Sequence, residues 1–139
     1  MFGLFRKKQR PLVAQIPEIV EQLRQSGEDG NFVVFIFVPP GAPKDEAVNL
    51  QFSIENGMPG LDWVLIGPRN VADKAKVMEL ATKLGYVIEE CQMNEVRYLR
   101  VISIGICDLG MKIIGDLYGI KPNAELEMIT EGFKWLPME

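Results

Sequence analysis

The sequence of 139 residues contains no histidine. Histidine is the side chain that most readily exchanges protons near neutral pH, and it is the commonest ligand of metal ions in proteins. Its absence excludes Ser-His and Cys-His nucleophile pairs and every metal site that contains histidine. We therefore expect a protein that is not an enzyme and that holds neither a metal ion nor another cofactor.

Hydroxyl and thiol side chains are also scarce, with three serines, two threonines and two cysteines in the whole chain. Cys91 and Cys107 form no C-x-x-C pair, and the carboxylates form no D-x-D or similarly dense cluster that a hard cation would need. Small buried side chains in a reduced, intracellular protein explain the two cysteines better than a disulfide does.

Long hydrophobic runs are missing as well. No apolar stretch approaches the roughly 18 residues that a membrane-spanning helix needs. The apolar start of the chain is too short for the core of a secretory signal, and its basic cluster follows the apolar residues rather than preceding them. We expect a cytoplasmic protein.

Charge is distributed unevenly along the chain. The first ten residues contain four basic side chains and no acidic one, whereas residues 11–139 contain 11 basic and 19 acidic side chains, a net charge of −8. An acidic body repels nucleic-acid phosphates and attracts a basic partner. We expect no nucleic-acid binding through the surface of the domain.

Residues 1–10 combine apolar with basic side chains, and we expect them to form a tip outside a single domain of residues 11–139. One interpretation is a flexible tail, or a tip that folds back onto the domain. The other is a weak peripheral contact with an anionic membrane, in which the apolar groups insert while the cations meet lipid headgroups. The residues of this tip that would make the contact are Phe2, Leu4, Phe5, Arg6, Lys7 and Lys8.

The first half of the chain predicts a helix and three strands. Apolar residues at helical spacing over 12–23 predict a helix that ends at Gly27. Residues 32–38 are apolar throughout, which predicts a strand buried on both faces at the centre of its sheet. Alternating apolar and polar residues predict a half-exposed strand over 48–55, in a hairpin with the first, and a further strand follows over 61–66.

The rest of the chain continues the order β-α-β-β-α-β that begins at residue 61. Asn70 is predicted to cap a helix that closes at Gly85. The later elements are predicted strands over 86–90, 96–103 and 126–130 and a helix over 108–118. Because this order is that of ferredoxin-like folds, we expect a single α+β domain with a mainly antiparallel sheet, preceded by a helix and a β-hairpin.

Arg69 is the first candidate binding residue. It lies between a predicted strand and the start of a predicted helix, where free N–H groups favour an anion. The alternative is a surface arginine that pairs with Asp62 or Asp73.

A second candidate group lies on the strand predicted over 96–103. Tyr98 and Arg100 share one face of this strand, while Arg97 takes the other. Tyrosine and arginine are enriched among the anchors of protein interfaces, and Trp63 adds a further aromatic candidate. The alternative leaves the aromatic rings in the core and the arginines in solvent.

Residues 73–90, and especially Ala81-Thr82-Lys83-Leu84-Gly85-Tyr86, resemble the helix-to-strand junction of the ribonuclease E inhibitor B family. The resemblance covers fewer than twenty residues and implies a small, acidic, regulatory protein. The short acidic chain also resembles, in composition, the immunity proteins that neutralise toxins.

These observations predict a small cytoplasmic protein that binds another protein as an inhibitor, an immunity protein or a regulator, with an acidic body that favours a basic partner. The main alternative is a homodimeric module that senses a small anionic ligand near Arg69. A histidine-free enzyme and a scaffold tethered to a membrane are further alternatives.

Overall fold

The computed structural model describes residues 9–137, which form a six-stranded sheet and four α-helices. The strands are β1 (Phe32–Phe37), β2 (Val48–Glu55), β3 (Met58–Val64), β4 (Glu89–Met93), β5 (Val96–Val101) and β6 (Glu127–Glu131). The helices are α1 (Ile16–Ser26), α2 (Pro68–Ala72), α3 (Lys74–Lys83) and α4 (Ile106–Lys112), which continues as a π-helical turn over Ile113–Leu117. No helix within this part of the chain is long and apolar enough to cross a membrane.

All the strand pairings in the sheet are antiparallel, and the order across it is β4-β5-β3-β2-β1-β6. The expected α+β class with a mainly antiparallel sheet is therefore confirmed. The ferredoxin-like order is not confirmed, because that order would pair the last strand with β3. Instead β6 pairs with β1, and the β1–β2 hairpin lies between β6 and β3.

The expectation that the apolar run of β1 is buried on both faces at the centre of the sheet is wrong. Its side chains alternate, so that Val33 and Phe35 are buried on the side that faces the helices. Phe32, Val34 and Ile36 point to the other side and are only partly buried. The strand is one position from the edge of the sheet. The run is apolar throughout, although the helices of the described residues cover only one of its two sides.

The hydrophobic core lies between one side of the sheet and the helices, with α1 and α4 packed against each other over the central strands. Helix α1 ends at Gly27, as predicted, and the φ of 67° at this glycine is in the left-handed region that lets the chain turn away. Helix α4 approaches the sheet closely because Gly110 has no side chain: a Cβ there would lie 2.8 Å from Cζ of Phe52.

The helix predicted after β3 is divided into α2 and α3 at Asp73. Asn70 does not cap it but lies within α2, where it is fully buried. Its side-chain amide donates to the carbonyl oxygens of Asn49 and Val64 at 2.9 Å, and its Oδ1 accepts from the N–H of Asn49 at 3.1 Å. The indole of Trp63 donates to the carbonyl oxygen of Asn70 at 2.9 Å. Asn70 therefore fastens α2 to β2 and β3.

Candidate binding face on the sheet

The side of the sheet that faces away from the helices carries the candidate site, and we call it the open face. Alternate residues of a strand point to opposite sides, and residues paired across strands share a side. The open face consists of Phe32, Val34 and Ile36 on β1, Asn49, Gln51, Ser53 and Glu55 on β2, Met58, Gly60, Asp62 and Val64 on β3, Glu89, Cys91 and Met93 on β4, Val96, Tyr98 and Arg100 on β5, and Glu127, Ile129 and Glu131 on β6. Five strand spacings make it about 24 Å wide.

A buried polar network occupies the centre of the open face. Asp62 and Arg100 are only 1% and 4% exposed, and Nη1 of Arg100 lies 2.6 Å from Oδ1 of Asp62. Ser53 accepts from the same Nη1 at 2.9 Å and donates to Oδ2 of Asp62 at 2.5 Å. Gln51 donates to that Oδ2 at 3.1 Å, and Oε2 of Glu55 lies 3.2 Å from Nη1 of Arg100. A buried ion pair is tolerated in a protein only when hydrogen bonds surround it in this way.

Gly60 provides the space in which the guanidinium of Arg100 lies. A Cβ at Gly60 would be 2.5 Å from Cζ of Arg100, so a side chain cannot stand there unless the guanidinium moves. Among the residues that the structure describes, Nε of Arg100 has no hydrogen-bond partner although it is buried. The position of the Arg100 guanidinium therefore depends on Gly60 as well as on the charged groups around it.

Sequence reasoning selected Arg100 as a binding candidate but did not identify the residues that surround it. Asp62 was considered as a partner of Arg69, whereas it pairs with Arg100. Two signals were present in the sequence. Asp62 is the one acidic residue among the apolar residues of its strand, and Ser53 belongs to a polar alternation along β2 that faces the same side.

A groove of about 650 Å³ runs across the open face from the β2–β3 turn toward the β4–β5 turn. Phe32, Val64, Val96 and Tyr98 are among the residues that line it, next to the buried network. Burial raises the pKa of Tyr98, and the nearby charge of Glu55 raises it further, so the phenol keeps its proton at neutral pH. The groove thus offers apolar walls and a neutral hydroxyl group beside carboxylates.

The open face is negatively charged. The acidic residues of its strands are Glu55, Asp62, Glu89, Glu127 and Glu131, and their basic residue is Arg100. Arg10, which lies outside the strands, is 3.8 Å from a carboxylate oxygen of Glu127. Apolar side chains lie between the acidic residues, of which Ile129 is 53% exposed. Apolar area bordered by charge that is mainly of one sign is characteristic of a surface that recognises a partner of the opposite sign.

Arg69 lies on α2 and belongs to a separate cluster. Its Nε donates to Oδ2 of Asp73 at 2.9 Å, its Nη1 is 3.7 Å from a carboxylate oxygen of Glu46, and its guanidinium lies 5.9 Å from the ring centre of Tyr118. Tyr118 also donates to Asp73, at 2.7 Å. Burial by itself would raise the pKa of Asp73, but the hydrogen bonds from Tyr118 and Arg69 hold it below its usual range. An anion at Arg69 would have to compete with two carboxylates.

The other predicted binding residues do not join Tyr98 and Arg100. Arg97 points to the opposite side of β5, is 64% exposed, and lies 3.6 Å from Glu90. Trp63 is fully buried in the core on the side of the helices. The candidates of the N-terminal tip, which are Phe2, Leu4, Phe5, Arg6, Lys7 and Lys8, lie outside the described residues.

Residues 9–137 contain no group of three or more Cys, Asp or Glu side chains that could hold a metal ion. Cys91 and Cys107 are both free thiols. Burial, together with the charge of Asp108, raises the pKa of Cys107 to about 11, so its thiol is protonated and unreactive at neutral pH.

Comparison of this chain with models of protein families, with curated proteins and with solved structures finds no match. The resemblance of residues 73–90 to the ribonuclease E inhibitor B family gains no support from these comparisons. The open face itself is therefore the basis on which a function can be proposed.

Proposed function

We propose that this protein is a non-catalytic cytoplasmic binding protein, and that its open face docks a basic surface of another protein. The observation that carries the proposal is the combination, on a sheet face that no helix of residues 9–137 covers, of partly exposed apolar side chains with five carboxylates, against Arg100 on the face and Arg10 beside Glu127. An inhibitor, an immunity protein or a regulator would use such a surface.

The apolar part of the open face supports docking. Phe32, Val34 and Ile36 are adjacent on β1, and β6 brings Ile129 beside Val34. Complete burial of a side chain of this size contributes roughly 1.5–3 kcal/mol relative to leaving it exposed. A partner that covered these four side chains would gain part of that free energy, which the protein does not obtain from its own helices.

The charge of the open face favours a basic partner over a second copy of this chain. Two copies placed face to face would bring their carboxylates together, and like charges in an interface cost free energy. A phosphate backbone would be repelled for the same reason. Carboxylates at the border of an interface act mainly on the rate of association, so binding should weaken at high salt.

The experiment is affinity capture from native lysate with the full-length protein and two charge-matched variants. Glu131→Lys changes the open face, and Glu79→Lys makes the same change on the exposed side of α3. We expect a stoichiometric basic protein that is captured by the wild type and by Glu79→Lys, is lost with Glu131→Lys, and dissociates at high salt. Equal capture by all three proteins would contradict docking on the open face. The absence of any captured partner, at both low and high salt concentration, would contradict the proposed function.

A further inference from the structure

The groove on the open face has two chemically different ends. Toward the β4–β5 turn its walls are apolar or aromatic, from Val64, Val96 and Tyr98. Toward the β2–β3 turn it reaches Asp29 and Glu55. These two residues are close neighbours in the fold, because Asp29 accepts a hydrogen bond at 2.8 Å from the backbone N–H of Gly57, two residues after Glu55.

The carboxylates along the groove are not equally available to a ligand. Asp62 is saturated, because Arg100 donates to one of its oxygens and both Ser53 and Gln51 donate to the other. Glu55 contacts Arg100 through Oε2 alone, and its side chain is 37% exposed. Asp29 is also exposed. With three carboxylates and one guanidinium, the groove keeps a net charge near −2, located at the end that Asp29 and Glu55 form.

We propose that the groove binds the cationic side chain of a lysine or an arginine that projects from the basic partner. This proposal rests on the proposed function and specifies what the open face recognises. The aliphatic stem of the side chain lies along the ring of Phe32, which lines the acidic end of the groove beside Ser53, and the charged head is received by Glu55 and Asp29. Long cationic side chains commonly bury their stems in this way while the head stays with polar groups.

The size of the groove suits this occupant. Sites that enclose small ligands have volumes of roughly 300–1,000 Å³, and the groove, at about 650 Å³, has room for one long side chain and its flanking backbone. Arg100 already holds Glu55 through Oε2. The carboxylate of Glu55 is therefore in position before the cation arrives, which reduces the entropy lost on binding.

The test is a titration of the full-length, isotope-labelled protein with N-acetyl-arginine N-methylamide, followed by backbone amide NMR. We expect saturable shifts at Glu55, Asp29 and Phe32, and none with the citrulline analogue, which has nearly the same shape without the charge. Shifts of equal size with citrulline, or shifts confined to residues outside the groove, would overturn the proposal.

Two variants and one control sharpen the titration. Asp29→Asn is nearly isosteric, does not touch Arg100 and keeps an oxygen for the N–H of Gly57, so it should weaken binding of the arginine derivative at least threefold without affecting folding. Glu55→Gln should weaken it by more, and Glu79→Gln on α3 should leave it unchanged. Unchanged affinity in Asp29→Asn and Glu55→Gln would overturn the assignment of the acidic end. If the arginine derivative does not bind while Glu131→Lys still abolishes capture of a partner, this inference fails and the proposed function stands.

Discussion

The ion pair between Asp62 and Arg100 provides the sharpest test of how the open face is built. We consider three variants: Asp62→Leu, Arg100→Met and the combination of the two. Both side chains are almost completely buried, at 1% and 4% exposure. Each single variant therefore leaves one charge buried without its main partner, while the double variant leaves neither charge.

The structure sets the size of the expected effects. Removal of one member of a buried ion pair costs about 3–5 kcal/mol. We expect Asp62→Leu near the upper part of this range, because it also takes acceptors from Ser53 and Gln51. Arg100→Met should lie near the lower part, since it also removes Nε, a buried donor without a partner among the described residues.

The double variant is expected to be more stable than Asp62→Leu. It replaces the pair with apolar side chains of similar length and leaves mainly the hydroxyl of Ser53 to be satisfied, at a cost of about 1–3 kcal/mol. The two substitutions should thus be strongly non-additive, as is usual for residues in direct contact.

Urea unfolding measures these free energies, with the fluorescence of the buried Trp63 and Trp135 as the signal. Arg97→Met is the matched control, because it makes the same substitution three residues earlier on the same strand, at an exposed ion pair. Exposed pairs contribute little, so the control should unfold almost like the wild type. Additive effects of the two single substitutions, or single variants as stable as the control, would refute the reasoning.

Four further predictions concern single residues. Gly60→Ala should destabilise the protein, as measured by its urea midpoint, because the new Cβ displaces the guanidinium of Arg100; an unchanged midpoint would contradict the position of that group. Tyr118→Phe should lower the free energy of unfolding at neutral pH, measured with urea, by about 1.5–3 kcal/mol, because it removes a hydrogen bond to a charged acceptor, Asp73. Folding lowers the pKa of Asp73, so the ionised carboxylate stabilises the protein above its unfolded pKa of about 3.9, and this stabilisation is lost as the pH falls through the lower folded pKa. The free energies of unfolding of the wild type and of Asp73→Asn, measured against pH, should therefore converge in acid. A constant difference between them at all pH values would contradict this. Cys107 is partly buried and burial raises its pKa to about 11, so its thiol should react with iodoacetamide at pH 7.5 more slowly in the native than in the unfolded protein. Equal labelling rates of this cysteine in the two states, measured by mass spectrometry of its peptide, would contradict this.

Local patterns predicted much of the fold. Helical spacing and Gly27 defined the end of α1, and alternation along residues 48–55 identified both β2 and the side on which its polar residues lie. Alternation likewise separated Arg97 from Tyr98 and Arg100. Each of these predictions depends on residues that are near one another in the sequence.

Long-range pairing was not predictable in the same way. Nothing in the residues of β6 shows that its neighbour is β1 rather than β3, because strands of similar pattern differ only in the partners they meet. The Arg100 network has the same origin, since it joins Ser53, Asp62 and Arg100 from three strands. Asn70 was assigned to a helix cap because its sequence context resembles one, whereas its hydrogen-bond partners are on β2 and β3.

The apolar run of β1 also bears on function. A strand that is apolar on both sides is typical of a sheet covered on both sides, yet the helices of the described chain cover only one. Phe32, Val34 and Ile36 are the apolar residues of β1 that the helices of the described chain do not cover. They lie beside the network that holds Arg100 and Glu55 in position. Side chains fixed before binding reduce the conformational entropy that a partner must overcome. An apolar strand side that the helices of residues 9–137 leave open, surrounded by mainly acidic side chains, supports the proposal that a basic partner covers this face.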